Sequence, residues 1–333
     1  MAQHRFTCID AHTCGNPVRL VTAGAPAFDG VPVAEKRLLF ARDCDWIRRA
    51  LMFEPRGHDV MSGVVLYPPT RPDCDAAFLF IEVSGLLPMC GHGTIGAVTA
   101  ALENGLIEPR TEGLLAIEAP AGRVEVEFVR DGPYVEQVRI RNVPSYLHAA
   151  DVVLHVPGLG SLTIDLAYGG NFYAIVEAQA NWRGLDGMTA AEIVALSPIV
   201  RRAAQAALAP VHPEDAKIAG VSHVMWCDRP LHARADARNA VFYGEKAIDR
   251  SPCGTGSSAR MAQLCAKGRL EIGQAFVNES IIGTLFDCRI DGGARVGDHD
   301  AILPSVAGWA RVTGYNTIIV DDRDPLAHGF QLS

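Results

Sequence analysis

The pattern of apolar and polar residues along the first part of the chain predicts short strands joined by turns. Segment 5–10 alternates loosely, and a turn-rich loop separates it from the apolar run 18–21. Further strands are predicted over 64–67, 76–83, 114–118, 123–129 and 135–140. Apolar residues at helical spacing predict two helices, 43–52 with Asp43 or Asp45 as its N-cap, and 94–104 ending at Asn104-Gly105.

A similar order of elements returns after about residue 140. Strand, glycine-containing turn and strand are predicted over 164–176, and their layout matches that of 9–21. Thr189 and Glu192 have the spacing of a capping box for a following helix. A separate helix is predicted to begin at Ser197-Pro198 and to end near residue 208. The remaining predicted elements are strands over 221–226 and 239–243, a helix over 257–267, and strand-rich segments over 276–289 and 309–320.

Strands outnumber helices in this pattern, and many connections between strands are too short for parallel crossovers. We therefore predict an α+β fold rather than a doubly wound α/β sheet. Because the order of elements repeats, we expect two pseudo-symmetric halves, 1–130 and 131–309.

One short motif occurs once in each half. Pro88-Met89-Cys90-Gly91-His92-Gly93 in the first half corresponds to Ser251-Pro252-Cys253-Gly254-Thr255-Gly256 in the second. Each copy places a cysteine directly before a Gly-x-Gly turn, and an apolar-periodic helical segment follows. Two copies in two halves indicate that both sulfurs act on one substrate.

A thiol at the start of a helix lies near free backbone N–H groups and the positive end of the helix dipole. Both should lower its pKa, and the uncovered amides of the Gly-x-Gly turn can bind a carboxylate. A pair of such thiols suits the removal of a proton from one face of a carbon and its delivery to the other face. One thiol must then be ionised and the other protonated.

Composition and charge exclude several classes of function. The 333 residues carry a net charge of −8, which argues against a nucleic-acid or anionic-membrane partner. The first residues lack a signal-peptide core and no run reaches membrane-spanning length, so a cytoplasmic protein is expected. Nine cysteines occur without any C-x-x-C or Cys/His ligand spacing, so we expect no metal site and no redox motif. The cysteines outside the two motifs are predicted to be reduced and largely buried, namely Cys8, Cys14, Cys44, Cys74, Cys227, Cys265 and Cys288.

A dinucleotide-binding loop is the main competing interpretation, because 91–96 fits G-x-G-x-x-G and 254–259 fits G-x-G-x-x-A. In a nucleotide fold the first strand leads straight into the first glycine. Here 84–89 intervenes, and the acidic residue expected about twenty positions later falls in the loop 111–113. The nucleotide interpretation also leaves the two cysteines unexplained.

The flanking residues extend the pattern beyond the two cysteines. The chain resembles the proline racemase family, and within it most closely the bacterial 4-hydroxyproline 2-epimerases. The segments that carry the resemblance are 9–13 with Gly15, Pro17 and Arg19; 56–58 with 61–63; 66–75; 89–96; 168–172; 249–260; and 314–317. They span essentially the whole chain.

The resemblance implies a fold like that of diaminopimelate epimerase, in which each half wraps a mostly antiparallel sheet around a central helix. It implies an active site between the halves, with 310–333 returning to the first half. Cofactor-independent inversion at Cα would use Cys90 and Cys253 as the two acid/base residues. The resemblance further implies a set of substrate-binding residues: Gly91, His92, Gly254 and Thr255 around the carboxylate, His92 and Asp249 near the ring nitrogen, and His223 elsewhere in the site.

Several activities remain open at this point. Cysteine at both reactive positions favours epimerisation of 4-hydroxyproline over the dehydration performed by relatives that carry threonine at the second. Proline racemase and hydroxyproline dehydratase are the alternatives within the family. A nucleotide-dependent oxidoreductase and a non-enzymatic amino-acid-binding protein are the alternatives outside it. The expected partner is a small imino acid, and the sequence leaves oligomeric state open, a homodimer included.

Overall fold

The computed structural model describes residues 2–332. The chain forms two compact units. The first comprises the residues up to Ile140 together with those from Gly308 onward, and the second comprises Arg141–Ala307. The first unit ends within the strand Tyr134–Arg141, whereas the predicted boundary was 130/131. No helix within residues 2–332 is long and apolar enough to cross a membrane.

The strands follow one another through both units. The first unit contains β1 (Gln3–Thr13), β2 (Asn16–Ala23), β3 (Ser62–Tyr67), β4 (Ala76–Glu82), β5 (Gly85–Leu87), β6 (Leu114–Ala119), β7 (Gly122–Asp131) and β8 (Tyr134–Arg141). The second contains β9 (Ser145–Val156), β10 (Gly160–Tyr168), β11 (Phe172–Val176), β12 (Val211–His212), β13 (Asp215–Ala219), β14 (Val221–Asp228), β15 (Ala237–Tyr243), β16 (Ala247–Ile248), β17 (Ala275–Glu279), β18 (Leu285–Val296) and β19 (His299–Gly308). The last strand, β20 (Ala310–Asp321), pairs antiparallel with β1.

The helices are fewer. The first unit has α1 (Val33–Asp43), α2 (Asp45–Met52) and α3 (Gly91–Glu103), and the second has α4 (Ala190–Leu208) and α5 (Gly254–Ala266). A short 3₁₀ turn, Leu185–Gly187, precedes α4.

The strands of each unit pair in the same order. In the first unit, β1–β2, β3–β4 and β6–β7 are antiparallel, whereas β2–β3 and β4–β6 are parallel. In the second unit, β10–β11, β14–β15 and β17–β18 are antiparallel, whereas β11–β14 and β15–β17 are parallel. The strand pairing of each unit is therefore mixed, with antiparallel pairs in the majority among those named.

The two helices that follow the cysteines are the most deeply buried helices of the described residues. Every residue of α3 except Glu103 is buried, and the helix packs against β1, β2, β3 and β20. In α5 only the last two residues escape burial, and the helix packs against β9, β10, β11 and β18. A helix that is buried all round needs small residues where strands approach it. Gly96 is such a position, since an added Cβ would lie 2.9 Å from Thr13 Oγ1.

The predicted helix over 43–52 is correct only in part. Asp43 ends α1, a helix the sequence did not predict, and α2 begins at Asp45 after an N-cap at Cys44 that makes no side-chain cap bond. Neither aspartate is the N-cap. Asp45 instead forms an ion pair with Arg48, in which Nε of Arg48 lies 2.6 Å from Oδ1 of Asp45.

The two helices predicted around Pro198 are a single helix, so the predicted break there is wrong. The capping box is confirmed, because Thr189 and Glu192 exchange bonds at the start of α4. Pro198 lacks the N–H that would continue the helical ladder. The buried positions of α4 nevertheless keep one face across the proline, namely Ile193, Ser197, Val200 and Ala204, and packing of that face outweighs the lost bond.

Candidate active site

Cys90 is the residue at which the chain turns from extended backbone into α3. It is the N-cap, with φ −141° and ψ 112°, and only 5% of the residue is exposed. A Cβ at Gly93 would lie 2.9 Å from the Cys90 sulfur, so glycine leaves that sulfur room at the helix start. The predicted location of Cys90 at a helix N-terminus is confirmed.

A buried carboxylate that the sequence analysis did not select lies beside this thiol. The Cys90 sulfur donates to Oε1 of Glu82 over 3.3 Å, and Glu82 is 2% exposed. Ser62 Oγ donates to the same oxygen at 3.1 Å, and Ser84 Oγ donates to Oε2 at 3.1 Å. Each carboxylate oxygen of Glu82 thus accepts a hydrogen bond from a serine hydroxyl, and Oε1 also accepts one from the Cys90 thiol.

His92 approaches the same sulfur from the first turn of α3. Its Nδ1 lies 3.6 Å from the Cys90 sulfur, and its Nε2 lies 2.9 Å from Nδ2 of Asn16. An amide nitrogen can only donate, so Nε2 is the acceptor and the hydrogen of the neutral ring is on Nδ1. The imidazole therefore points an N–H toward sulfur, which stabilises a thiolate there.

These three side chains are also the ones that could hold a metal ion in the described part of the chain. The ligand atoms of Glu82, Cys90 and His92 all lie within 4.8 Å of one another. Thiolate, imidazole and carboxylate together suit zinc. An ion bound there would occupy the sulfur that is predicted to exchange a proton, so we assign the metal no step in the reaction.

Cys253 occupies the corresponding position before α5, with a strained backbone. It is the N-cap with φ 65°, in the left-handed region that residues other than glycine rarely adopt, and it is 6% exposed. A Cβ at Gly256 would lie 2.9 Å from its sulfur. Ser251 Oγ accepts from the Cys253 N–H at 3.2 Å, which helps to hold this turn.

A tyrosine and an aspartate surround the Cys253 thiol. The hydroxyl of Tyr173 lies 3.5 Å from the sulfur and 2.5 Å from Oγ1 of Thr255. Asp249 is 3% exposed, and its Oδ1 accepts from the N–H and the hydroxyl of Ser251, each at 2.8 Å. Tyr173 was not among the predicted site residues, whereas Asp249 and Thr255 were.

The pKa of Cys253 is raised, so the predicted lowering of its pKa is wrong. Burial is the main cause, and the negative charge of Asp249 adds to it. The bond from Tyr173 and the Gly256 N–H act in the opposite direction but are outweighed. Burial removes the water that would solvate a thiolate, and this desolvation outweighs the stabilisation that the helix start provides. Cys253 is consequently a thiol at neutral pH in the free protein.

His223 lies behind Tyr173 rather than against the thiol. Its ring stacks on Tyr173 with centroids 4.6 Å apart, and its Nδ1 lies 2.7 Å from Ser222 Oγ. Burial, with a smaller contribution from Arg201, lowers the pKa of His223 to about 3. The imidazole is therefore neutral and contacts the site through the tyrosine.

This buried histidine makes stability sensitive to acid. The unfolded chain binds a proton at His223 below about pH 6.5, whereas the folded chain resists it down to a pKa of about 3. Stability is therefore lost as pH falls through this window, by about 1.4 kcal/mol per pH unit. We expect His223→Gln to reduce the loss of unfolding free energy between pH 7 and pH 4.5 by about 2–3 kcal/mol, as measured by urea titrations at both pH values.

His232→Gln is the matched control, because His232 is exposed in the same unit. It should leave the acid sensitivity of the protein unchanged. Equal acid sensitivity in wild type and His223→Gln would show that His223 is not the group responsible.

The structure thus groups the predicted site residues within each unit. Cys90, Gly91 and His92 form the start of α3. Asp249, Cys253, Gly254 and Thr255 surround the start of α5, with His223 one side chain further away. The missed partners are Glu82, Tyr173 and Asn16. Glu82 carried a signal, being the single charged residue in the apolar run 76–83, but Tyr173 and Asn16 carried none.

The chain matches known proteins over nearly its whole length. The family model described as proline racemase matches residues 8–331. A probable 4-hydroxyproline 2-epimerase of Rhizobium meliloti (strain 1021) is 61% identical over 330 residues, covering 99% of each chain. A 4-hydroxyproline 2-epimerase 2 of Rhizobium rhizogenes (strain K84) is 62% identical over 327 residues, covering 98% of each.

A solved structure shows the same fold. The hydroxyproline epimerase of Agrobacterium vitis, with bound trans-4-hydroxy-L-proline, superposes with a TM-score of 0.89 at 30% identity. The superposition covers 99% of this chain and 95% of that one. The predicted α+β class, with strands in the majority, is confirmed.

Proposed function

The chain belongs to the proline racemase family, and from this premise we propose that it inverts Cα of 4-hydroxyproline. The reaction would convert trans-4-hydroxy-L-proline into cis-4-hydroxy-D-proline. The observation that carries the proposal is the pair of buried thiols, Cys90 and Cys253, each at the start of a buried helix and each beside a carboxylate. The names of the relatives and the imino acid bound by the Agrobacterium vitis protein support the choice of substrate.

In the proposed reaction the two thiols act on opposite faces of one carbon. The raised pKa of Cys253 makes it the acid in the conversion of the L-epimer to the D-epimer. The N–H of His92 directed at Cys90 favours that sulfur as the base. The Cys90 thiolate takes the α-proton, and the electron pair of the C–H bond passes into the carboxylate as an enolate forms. The S–H of Cys253 then breaks, and its proton is added to the other face of Cα. The reverse reaction exchanges the two roles.

The starts of the two helices supply donors where the enolate charge develops. We assign the carboxylate to the N–H groups of Gly91, His92, Gly254 and Thr255, since free amides at helix N-termini bind anions. Asp249 and His92 are assigned to the ring nitrogen. His223 acts through Tyr173, whose hydroxyl contacts both Cys253 and Thr255.

The scheme requires each unit to present its thiol to the same substrate. We propose that the units are two pseudo-symmetric halves, each a sheet around a central helix, with the substrate between them. Support comes from the same order of strand pairings in both units and from the deep burial of α3 and α5.

The proposal is tested by incubating the protein separately with trans-4-hydroxy-L-proline, L-proline and trans-3-hydroxy-L-proline. Chiral chromatography should show the cis-4-hydroxy-D-proline epimer formed faster than D-proline, without added cofactor. Faster formation of D-proline would make the protein a proline racemase, and loss of water from the 3-hydroxy compound would make it a dehydratase. A requirement for NAD, or binding without any product, would contradict the proposal altogether.

A further inference from the structure

Glu82 is a buried carboxylate whose contact with Cys90 the two-thiol reaction leaves unexplained. Its strand, β4, places it opposite Ser62 of β3 in the antiparallel register, and the hydroxyl of Ser62 donates to Oε1. The Cys90 sulfur donates to that same oxygen. A carboxylate at 2% exposure is costly unless its bonds are satisfied, so its placement beside a reactive sulfur calls for a function.

The proposed epimerisation creates a need for such a group. After each inversion the thiolate that acted as base carries a proton, and the thiol that acted as acid has lost one. A second turnover in the same direction requires the first sulfur to lose its proton and the second to regain one. At 5% exposure, Cys90 has little direct access to water.

We propose that Glu82 is the relay through which Cys90 exchanges this proton with water between turnovers, an inference that rests on the proposed two-thiol reaction. The S–H bond of Cys90 breaks, an O–H bond forms at Oε1 of Glu82, and the electron pair stays on sulfur. Glu82 then releases the proton to water, and the reverse sequence protonates Cys90. In this sequence Glu82 holds the proton only in transit.

The second carboxylate oxygen provides the outward path. Oε2 accepts from the hydroxyl of Ser84, which lies in the turn before β5 and is exposed. The other charged or titratable groups nearby are His92, with a ring nitrogen within 4.8 Å of a Glu82 carboxylate oxygen, and the Arg48–Asp45 pair of α2. Arg48 donates to the backbone oxygen of Glu82 at 2.8 Å and leaves its carboxylate free to take the proton. Glu82 is thus a positioning residue that acts through Cys90.

The relay has a kinetic signature that a structural role lacks. At low substrate concentration the free enzyme has time to exchange protons, so kcat/KM does not depend on the relay. At saturation the exchange limits turnover. We therefore expect Glu82→Gln to lower kcat about 10- to 100-fold while kcat/KM stays within about twofold. Added formate, a small diffusible carboxylate, should restore kcat in the variant.

Glu118→Gln is the matched control. Glu118 is also buried, at 4% exposure, in the first unit, and its carboxylate is held by Thr70 and the Val33 N–H. Because Glu118 bonds to these residues and not to Cys90, neither kcat nor kcat/KM should change in this variant. If Glu82→Gln fails to fold, Ser84→Ala replaces it. That variant should lower kcat a few-fold at unchanged kcat/KM.

A second readout does not depend on the substrate. The pH dependence of Cys90 alkylation by iodoacetamide, followed by peptide mass spectrometry, reports ionisation of this thiol alone. Removing the negative charge of Glu82 should shift the midpoint to lower pH, because a neighbouring anion disfavours a thiolate. An unchanged midpoint, a parallel fall of kcat and kcat/KM, or an unchanged kcat would overturn the relay. Inactivity of the wild-type protein toward every imino acid would instead overturn the proposed function.

Discussion

Cys253→Ala should abolish inversion of 4-hydroxyproline, with a fall in kcat of about 10³-fold or more. Alanine cannot hold a proton, and without this sulfur no group at the start of α5 can donate one to the second face of Cα. The hydroxyl of Tyr173 lies 3.5 Å from this sulfur, but burial raises its pKa well above the ordinary value, so it does not take over the role of the acid. Cys90→Ala should have an effect of similar size. Initial rates measured by chiral chromatography provide the check.

Each control replaces another cysteine of the unit that carries the variant: Cys265 is the control for Cys253, and Cys44 is the control for Cys90. Cys265 lies near the end of α5, and Cys44 is the N-cap of α2; both are only partly buried. Cys265→Ala and Cys44→Ala should retain nearly full activity. A Cys253→Ala enzyme that inverts its substrate at a rate close to that of the wild type would refute the two-thiol account.

The second large effect is on stability, at the turn between β10 and β11. A Cβ on Gly169 would lie 2.2 Å from the backbone oxygen of Thr255 and 2.5 Å from the backbone nitrogen of Ala259. Helix backbone cannot yield as a flexible side chain can, so α5 must shift or the turn must open. We expect Gly169→Ala to lower the free energy of unfolding by about 3 kcal/mol or more.

Urea unfolding followed by tryptophan fluorescence measures this change, because Trp182 and Trp226 lie stacked in the same unit. Gly293→Ala is the control. Its nearest neighbour would be the Ile272 side chain at 3.5 Å, an ordinary contact, and the midpoint should barely move. A Gly169→Ala protein as stable as the wild type would mean that the approach of this turn to α5 is looser than the structure shows.

Local features of the chain were predictable because they depend on neighbouring residues. The cysteine turns, the capping box at Thr189 and the left-handed Gly105 after α3 each follow from residue types at short spacing, and the structure contains all of them. The repeated order of strands was also visible, since each strand is a short apolar run bounded by turn residues.

Features that depend on distant contacts were not predictable. Helix α1 was not predicted because its apolar residues do not follow a regular helical spacing. Lys36 is buried, with its ammonium group bonded to backbone oxygens, whereas Leu38 is more than half exposed. The raised pKa of Cys253 depends on burial and on Asp249, neither of which its helix position reveals. Glu82 meets Cys90 because the last residue of β4 lies beside the residue that caps α3.

The two thiols differ in their surroundings, and this difference gives them distinct roles at rest. Cys253 is buried beside Asp249, and both its burial and that negative charge keep it protonated, whereas the bond from the Tyr173 hydroxyl acts in the opposite direction. Cys90 lies beside the N–H of His92, which can stabilise a thiolate, and beside the carboxylate of Glu82, which can accept the proton of the thiol. We expect Cys90 to be the more reactive of the two toward alkylating agents.

The origin of the new α-hydrogen tests the two-thiol claim most directly. Trans-4-hydroxy-L-proline is incubated with the protein in deuterium oxide and stopped after a few per cent of conversion, and the two epimers are separated and analysed by mass spectrometry. The account predicts one deuterium in essentially every product molecule and none in the remaining substrate, because one sulfur removes the proton and the other delivers a solvent-derived deuteron. Product that retains the original α-proton would show that a single group both removes and returns it, and would contradict the account.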